Sequence, residues 1–146
     1  MAIKIRPIKA GDRQEWEKLW LGYQEFYGAD LRSGTDYLWS RLHSPPGDGP
    51  FCLVAELESG KLCGLAHYLY HPSTWSKEPR CYLNDLFTEN SARGRGVGQA
   101  LIEAVYAAAD EKGSAQVYWL TQDFNHAARG LYDKVAKVTP FIKYAR

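Results

Sequence analysis

The sequence is poor in the residues that hold metals and disulfides. Its three cysteines, Cys52, Cys63 and Cys81, stand far apart, and none of them belongs to a C-x-x-C pair. An odd number of isolated cysteines in apolar surroundings is typical of reduced, buried thiols and argues against a disulfide framework or a zinc site. The four histidines form no H-x-x-x-H pair. We therefore expect no metal site.

Long apolar runs are also missing. No stretch approaches the ~18 consecutive apolar residues of a membrane-spanning helix, and the first seven residues lack the apolar core of a secretory signal. A chain of 146 residues is long enough for one hydrophobic core and leaves little room for a second. We expect a single domain over residues 1–146, located in the cytoplasm and without a membrane partner.

The charge of the chain has no dominant sign. Lysine and arginine number 18 and aspartate and glutamate 17, so the formal net charge is +1. Attraction to nucleic acid requires a basic surplus, which this composition does not supply. Nucleic acid is therefore not expected as a partner.

Apolar periodicity predicts helices interleaved with the strands of a mixed sheet. Trp16, Leu19, Trp20, Tyr23 and Tyr27 follow the spacing of one buried helix face. The order β-α-α-β-β-β-α-β-α-β predicts an α/β (α+β) fold, with a parallel β-α-β crossover in its second half. The predicted elements are strands 3–7, 51–57, 62–70, 80–88, 116–121 and 141–144, and helices beginning after Asp12, over 35–42, over 96–113 and after Asn125.

A glycine-rich segment, Arg93-Gly94-Arg95-Gly96-Val97-Gly98, joins a predicted strand to the start of a predicted helix. The first turn of a helix exposes unpaired N–H groups and the positive end of the helix dipole. Glycines allow a bulky anion to approach those groups, and arginines can donate two hydrogen bonds to phosphate. The segment therefore predicts a phosphate-bearing ligand.

Two common phosphate motifs do not fit this segment. A Walker loop requires G-x-x-x-x-G-K-[ST], and no Lys-Ser or Lys-Thr follows here. A dinucleotide site requires G-x-G-x-x-G and an acidic residue at the end of the next strand. The glycines at 94, 96 and 98 have a different spacing, and Thr121 ends that strand.

The spacing R-x-x-G-x-G, from Arg93 to Gly98, resembles the acetyl-CoA loop of the GCN5-related N-acetyltransferases (GNAT). Two more segments resemble this family in the same order: residues 82–88 its central strand, and residues 121–134 its N-x-x-A-x-x-L-Y segment. The element order extends the resemblance over nearly the whole chain. It implies the GNAT fold, an N-acetyltransferase with acetyl-CoA as co-substrate, and a homodimer like many relatives.

The resemblance also implies roles for individual residues. Backbone groups of residues 86–88 pair with the pantetheine arm, residues 93–98 hold the pyrophosphate, Asn125 contacts the cofactor and Tyr132 lies near its sulfur. The implied cofactor-binding residues are Leu86, Phe87, Thr88, Arg93, Gly94, Arg95, Gly96, Val97, Gly98, Asn125 and Tyr132.

Two candidate catalytic residues follow from the chemistry of acetyl transfer. An amine with a pKa near ~10.4 is neutral in about one molecule in 2,500 at pH 7, so a proton acceptor assists its attack. Tyr132 is the candidate general acid toward the leaving thiolate. Related spermidine/spermine acetyltransferases have a glutamate at the position of Asn84, whose amide accepts no proton, so Asp85 is the nearest substitute. Strand alternation turns Asp85 to the opposite face from Asn84 unless a bulge intervenes, and a structural role for Asp85 or deprotonation through water stays open.

The acceptor is expected to be a primary amine. Aromatic and acidic side chains of the first helices lie where the family builds its acceptor pocket, and they suit a cation. Tyr27, Asp30 and Asn84 are the candidate substrate-binding residues. A polyamine-like molecule or a protein lysine, acetylated by direct transfer in a ternary complex, is the predicted acceptor. The alternatives are an antibiotic, an amino acid, or a non-catalytic protein that senses CoA or acetyl-CoA.

Overall fold

The computed structural model describes residues 2–114 and 116–146. Within these ranges the chain forms five strands and four α-helices, and a short 3-10 turn precedes each of the first three helices. The elements in chain order are β1 (Ile3–Pro7), α1 (Arg13–Tyr27), α2 (Thr35–His43), β2 (Phe51–Leu57), β3 (Leu62–Ser73), β4 (Ser76–Thr88), α3 (Val97–Lys112), β5 (Val117–Tyr118) and α4 (His126–Val135).

The sheet is mixed, with the strand order β1-β2-β3-β4-β5. The first four strands are antiparallel neighbours, and β5 pairs with β4 in parallel. The predicted β-α-β crossover through α3 is therefore confirmed, as is the mixed α/β fold class.

The sheet separates two apolar cores. On one face, α3 packs its buried side chains, including Leu101, Ile102 and Val105, against the strands. On the other face, Trp16 and Leu19 of α1 pack against residues of β2 and β3. Each face thus carries its own helix layer, and the predicted buried face of α1 is confirmed for its first two turns. The three cysteines are buried and unpaired, as the sequence predicted.

Asp12 stands at the start of α1 but does not cap it with its side chain. The carboxylate instead accepts hydrogen bonds from the Arg6 guanidinium at 2.8 Å and from the Lys9 backbone N–H at 2.7 Å. The nearly buried Arg6 also pairs with Glu56 at 2.7 Å. Arg6 lowers the pKa of Asp12, because the charge-assisted hydrogen bonds favour the ionised carboxylate. The cation therefore ties β1, β2 and the start of α1 together.

Three predicted elements differ from the structure. Residues 71–79 are not a loop throughout, since β3 and β4 extend into one long hairpin. Strand 116–121 shrinks to the two residues of β5. The predicted strand 141–144 is absent, and Phe141, Ile142 and Tyr144 are exposed. A further strand needs a paired neighbour, and β5 is too short to offer one, while Pro140 supplies no N–H.

No helix of the described ranges is long and apolar enough to cross a membrane.

Candidate functional site

The site is a gap between two strands that stop pairing. The parallel pairing of β4 and β5 is limited to Cys81 with Val117 and Tyr82 with Tyr118. Beyond Tyr82, β4 continues to Thr88 without a strand partner on that side in the described part of the chain. Its free backbone groups can therefore pair with an extended ligand, in the manner of an added strand.

Two cavities open along this gap. The larger has a volume of about 730 Å³, and every predicted cofactor-binding residue except Arg95 lines it. The smaller has a volume of about 330 Å³ and is lined by Tyr23, Tyr82 and Asn84 among others. Tyr27, Leu86 and Tyr132 line both cavities. These three residues therefore mark the junction of the two cavities.

The glycines of the loop before α3 have two different roles. Gly94 and Gly96 have φ angles of 77° and 81°, in the left-handed region that side chains disfavour. A Cβ added to either would meet nothing within 4 Å, so backbone conformation and not space requires glycine there. At Gly98, an added Cβ would lie 3.1 Å from Leu131, so this glycine lets α4 approach the first turn of α3.

The N-terminus of α3 is open to the larger cavity. The first helical hydrogen bond runs from the Ala100 N–H to the Gly96 carbonyl at 3.0 Å, and no side chain caps the helix. The N–H groups of residues 97–99 therefore lack helical partners and favour an anion. Arg93 donates to the Thr88 carbonyl at 3.1 Å and stacks on Phe26 at 5.4 Å. Together, the N–H groups of residues 97–99 and the Arg93 guanidinium form a phosphate cradle, and this cradle fits the pyrophosphate of acetyl-CoA.

A bulge at Asn84 determines where Asp85 points. His67 of β3 pairs with Asp85 but its neighbour Tyr68 pairs with Leu83, so Asn84 is the extra residue. Leu83 consequently enters the α3 core, whereas Asp85 faces α1. The Asn84 amide lines the smaller cavity and donates to the Asp85 carboxylate at 3.2 Å. The bulge on which the prediction for Asp85 depended is therefore present.

A buried histidine, His67, is hydrogen-bonded to the Asp85 carboxylate. Nδ1 of His67 lies 3.0 Å from the carboxylate, and Nε2 lies 3.1 Å from Nε1 of Trp16. The indole N–H can only donate, so Nε2 must accept and the ring proton must reside on Nδ1. His67 therefore donates to Asp85, and the pair Trp16–His67 fixes the orientation of the carboxylate.

Burial keeps the tyrosines of the site protonated. It raises the pKa of Tyr23 well above its usual value, and the negative charge of the nearby Asp85 carboxylate adds to the shift. Burial, with a smaller contribution from Tyr27, raises the pKa of Tyr132 to about 12. Both phenols are therefore proton donors at neutral pH.

Asp30 lies outside both cavities. It is exposed on the segment after α1 and pairs with Arg32 at 2.8 Å. Hydrogen bonds from Arg32 lower the pKa of Asp30 to about 2. The structure thus separates Asp30 from the other predicted acceptor residues, because α1 ends at Tyr27 and the chain turns away at Gly28.

Sequence reasoning missed His67, Lys143 and the part that Trp16 plays in the site. Lys143 lines the smaller cavity although it follows α4 by several residues. The sequence holds no local signal for His67, because its contact with Asp85 depends on the pairing register of β3 and β4. No group of three or more metal-ligating side chains occurs among the described residues.

Comparisons with known proteins identify the family of the chain. The acetyltransferase (GNAT) family profile matches residues 13–136. The D-amino-acid N-acetyltransferase HPA3 of Saccharomyces cerevisiae is 39% identical over 145 residues, which cover 99% of this chain and 90% of that protein. The thialysine N-epsilon-acetyltransferase of Bos taurus is 35% identical over 95 residues, which cover 59% of this chain and 55% of that protein. A solved structure of the aminoglycoside N-acetyltransferase AAC(6')-Iy with CoA matches with a TM-score of 0.83 at 17% identity, covering 99% and 94% of the two chains.

The fold, the phosphate cradle and the family match lead to one class of protein: the chain belongs to the GNAT family of acetyltransferases. It is an N-acetyltransferase, like the curated relatives that it matches.

Replacing Gly96 should weaken acetyl-CoA binding. Gly96→Ala puts a side chain on a left-handed residue at a cost of about 1–2 kcal/mol, so the loop shifts and affinity should fall about tenfold in a calorimetric titration. Gly34→Ala is the matched control, because Gly34 has a φ of −99° and open space around it. Equal affinity of Gly96→Ala and wild type would contradict the loop assignment.

Replacing Trp16 should leave Nε2 of His67 without its hydrogen-bond donor and allow the ring to change tautomer. Trp16→Phe removes the indole N–H that donates to Nε2 of a buried ring, and the unfolding free energy should fall by about 1 kcal/mol or more beyond the loss in its control. That control is Trp20→Phe, since Trp20 is also buried near His67 but its N–H has no partner in the described part of the chain. Nitrogen NMR of the imidazole should show the Nδ1–H form in wild type and Trp20→Phe and a mixture in Trp16→Phe. The same single form in all three proteins would contradict the assignment.

Proposed function

We propose that the chain transfers the acetyl group of acetyl-CoA to the primary amine of a small acceptor, and that an amino acid is the favoured acceptor class. The observation that carries this proposal is the meeting of the two cavities at Tyr27, Leu86 and Tyr132. A donor and an acceptor bound together there need no covalent enzyme intermediate. Direct transfer within a ternary complex is the mechanism that this arrangement favours.

Acetyl-CoA supplies the activated thioester, and the chain binds and orients it. The open N-terminus of α3 and the loop from Arg93 to Gly98 hold the pyrophosphate. The unpaired edge of β4 over Leu86, Phe87 and Thr88 receives the pantetheine arm, and Asn125 lies in the wall of the same cavity. Asn125 also caps α4 by accepting from the Ala128 N–H at 3.3 Å. Its side chain therefore has a structural task besides any contact with the cofactor.

Asp85 is the proposed proton acceptor. The carboxylate is mostly buried, accepts a hydrogen bond from Asn84 and lies near Tyr23, and both of these neighbours line the acceptor cavity. An acceptor ammonium can give its proton to the Tyr23 oxygen while the Tyr23 hydroxyl gives its own proton to Asp85. This route makes Asp85 the base without requiring it to reach the cavity. Water between the amine and Tyr23 serves the same transfer.

Tyr132 acts at the other end of the reaction. Its raised pKa keeps the hydroxyl proton at neutral pH, so it donates a hydrogen bond to the sulfur as negative charge develops there. A T-shaped contact with Trp119, with ring centroids 5.3 Å apart, fixes the ring at the cavity junction. Tyr132 is therefore the proposed general acid.

The size of the acceptor cavity favours a small molecule. Its volume of about 330 Å³ is at the low end of the ~300–1,000 Å³ range for small-molecule sites. The two named relatives of Saccharomyces cerevisiae and Bos taurus act, by their names, on a D-amino acid and on thialysine. Both considerations favour an amino acid over an aminoglycoside, a polyamine or a protein lysine.

A homodimer is proposed as the assembly. Val138, Phe141, Ile142 and Tyr144 leave the tail after α4 apolar and exposed, which favours burial against a second copy. The mass from light scattering of the purified protein tests this assembly.

The experiment that tests the function has two stages on one preparation. Calorimetric titration with acetyl-CoA comes first, followed by thiol release against D- and L-amino acids, spermidine, a lysine peptide and an aminoglycoside. Binding with release that is fastest for amino acids supports the proposal. Faster release with another acceptor class overturns the substrate assignment, binding without release for any amine favours a CoA sensor, and absent binding overturns the donor site.

Removing the Tyr132 hydroxyl should slow turnover without weakening cofactor binding. Tyr132→Phe should lower kcat about 100-fold, because a general acid contributes roughly 10²–10⁴-fold. Tyr106→Phe is the matched control, since Tyr106 is also half-buried but donates to the Val135 carbonyl outside the cavities. Wild-type turnover by Tyr132→Phe would remove Tyr132 from the mechanism.

A further inference from the structure

The acceptor cavity carries one charged side chain among its lining residues. Its walls are tyrosine, tryptophan and leucine side chains with a few neutral polar groups, and Lys143 is the exception. Lys143 forms no ion pair with any residue of the described ranges, and it is exposed to solvent. A lysine beside an apolar and aromatic cavity presents an uncompensated positive charge to whatever binds there.

The Asp85 carboxylate lies next to the same cavity without lining it. Asp85 accepts a hydrogen bond from the lining residue Asn84 and lies near Tyr23, and His67 fixes its carboxylate. The cavity therefore has a positive charge in its wall, from the tail after α4, and a negative charge next to it, from the bulge of β4. An acceptor with both an ammonium and a carboxylate satisfies both charges, whereas a polyamine leaves Lys143 facing a like charge.

The remaining wall suits an apolar side chain. Leu86, Trp119 and Leu120 are among the lining residues of the cavity. Burial of a leucine-sized side chain against such a surface contributes to binding in proportion to the apolar area covered. The lining chemistry is therefore that of a free apolar amino acid.

We infer that Lys143 is the residue that binds the acceptor carboxylate, so that the site selects free α-amino acids over amines that lack this group. The inference rests on the proposed function, in which the amine is directed toward Tyr23 and Asp85. Lys143 sets specificity and takes no part in proton transfer. Its effect is accordingly confined to acceptors that carry a carboxylate.

Paired substrates test this inference. D- and L-leucine are compared with the corresponding leucinamides, which keep the amine and side chain but lack the carboxylate. Lys143→Gln should raise KM for leucine about three- to fivefold, as expected for one exposed ion pair, and should change KM for leucinamide by less than about twofold. Lys137→Gln is the matched control, because Lys137 is an exposed lysine of the same tail that lines neither cavity; it should leave both values unchanged.

Binding is measured alongside turnover, by calorimetric titration of leucine into wild type and Lys143→Gln saturated with CoA. Weaker leucine binding by Lys143→Gln alone supports the inference even if neither protein turns over. Equal losses for leucine and leucinamide, or equal leucine affinity of the two proteins, overturn it. A wild-type preference for leucinamide or spermidine also overturns it while leaving acetyl transfer intact. Absent turnover with every amine contradicts the proposed function instead.

Discussion

The structure depends on the point at which β4 and β5 separate. Two paired residues hold the strands together at Tyr82 and Tyr118, and the chain then diverges on either side of a gap. The elements proposed to bind the substrates are arranged along that gap: the free edge of β4, the open N-terminus of α3 and the wall formed by α4. A longer β5 would pair with β4 and fill the gap with the protein's own backbone. The shortness of β5, which the sequence did not predict, is therefore what leaves both cavities open.

The bulge at Asn84 connects this gap to the second core. Without it, Asp85 would share a face with Leu83 and point into the α3 core, where an ionised carboxylate lacks partners. The extra residue turns Asp85 toward α1, where His67 and Asn84 donate to it and Tyr23 lies nearby. Trp16 belongs to the core and also orients His67. Packing on the α1 side thus fixes the position of the negative charge next to the acceptor cavity.

How much the sequence predicts depends on the range of the interaction. Gly94 and Gly96 are required by their own backbone angles, and the start of α3 is a local feature, so this loop and helix start were predictable from the sequence. The histidine next to Asp85 depends on strand register between distant segments, which no local pattern encodes. Asp30 lies outside both cavities because the chain turns away after Gly28, and a helix pattern gives no information on that path. The absent last strand shows the same limit, since a strand exists only where a neighbour pairs with it.

Tyr23 and Tyr132 have the same side chain but different neighbours, so the roles proposed for them differ. Tyr23 and Tyr132 are both kept protonated by burial, so neither is a base by itself. Tyr23 has a carboxylate on its far side and can pass a proton onward, whereas Tyr132 lines the junction of the two cavities beside Tyr27 and Leu86. In the proposed mechanism the proton of the amine goes toward Asp85 through Tyr23, and Tyr132 donates to the sulfur. These separate routes make the amine neutral before the thiolate needs its proton.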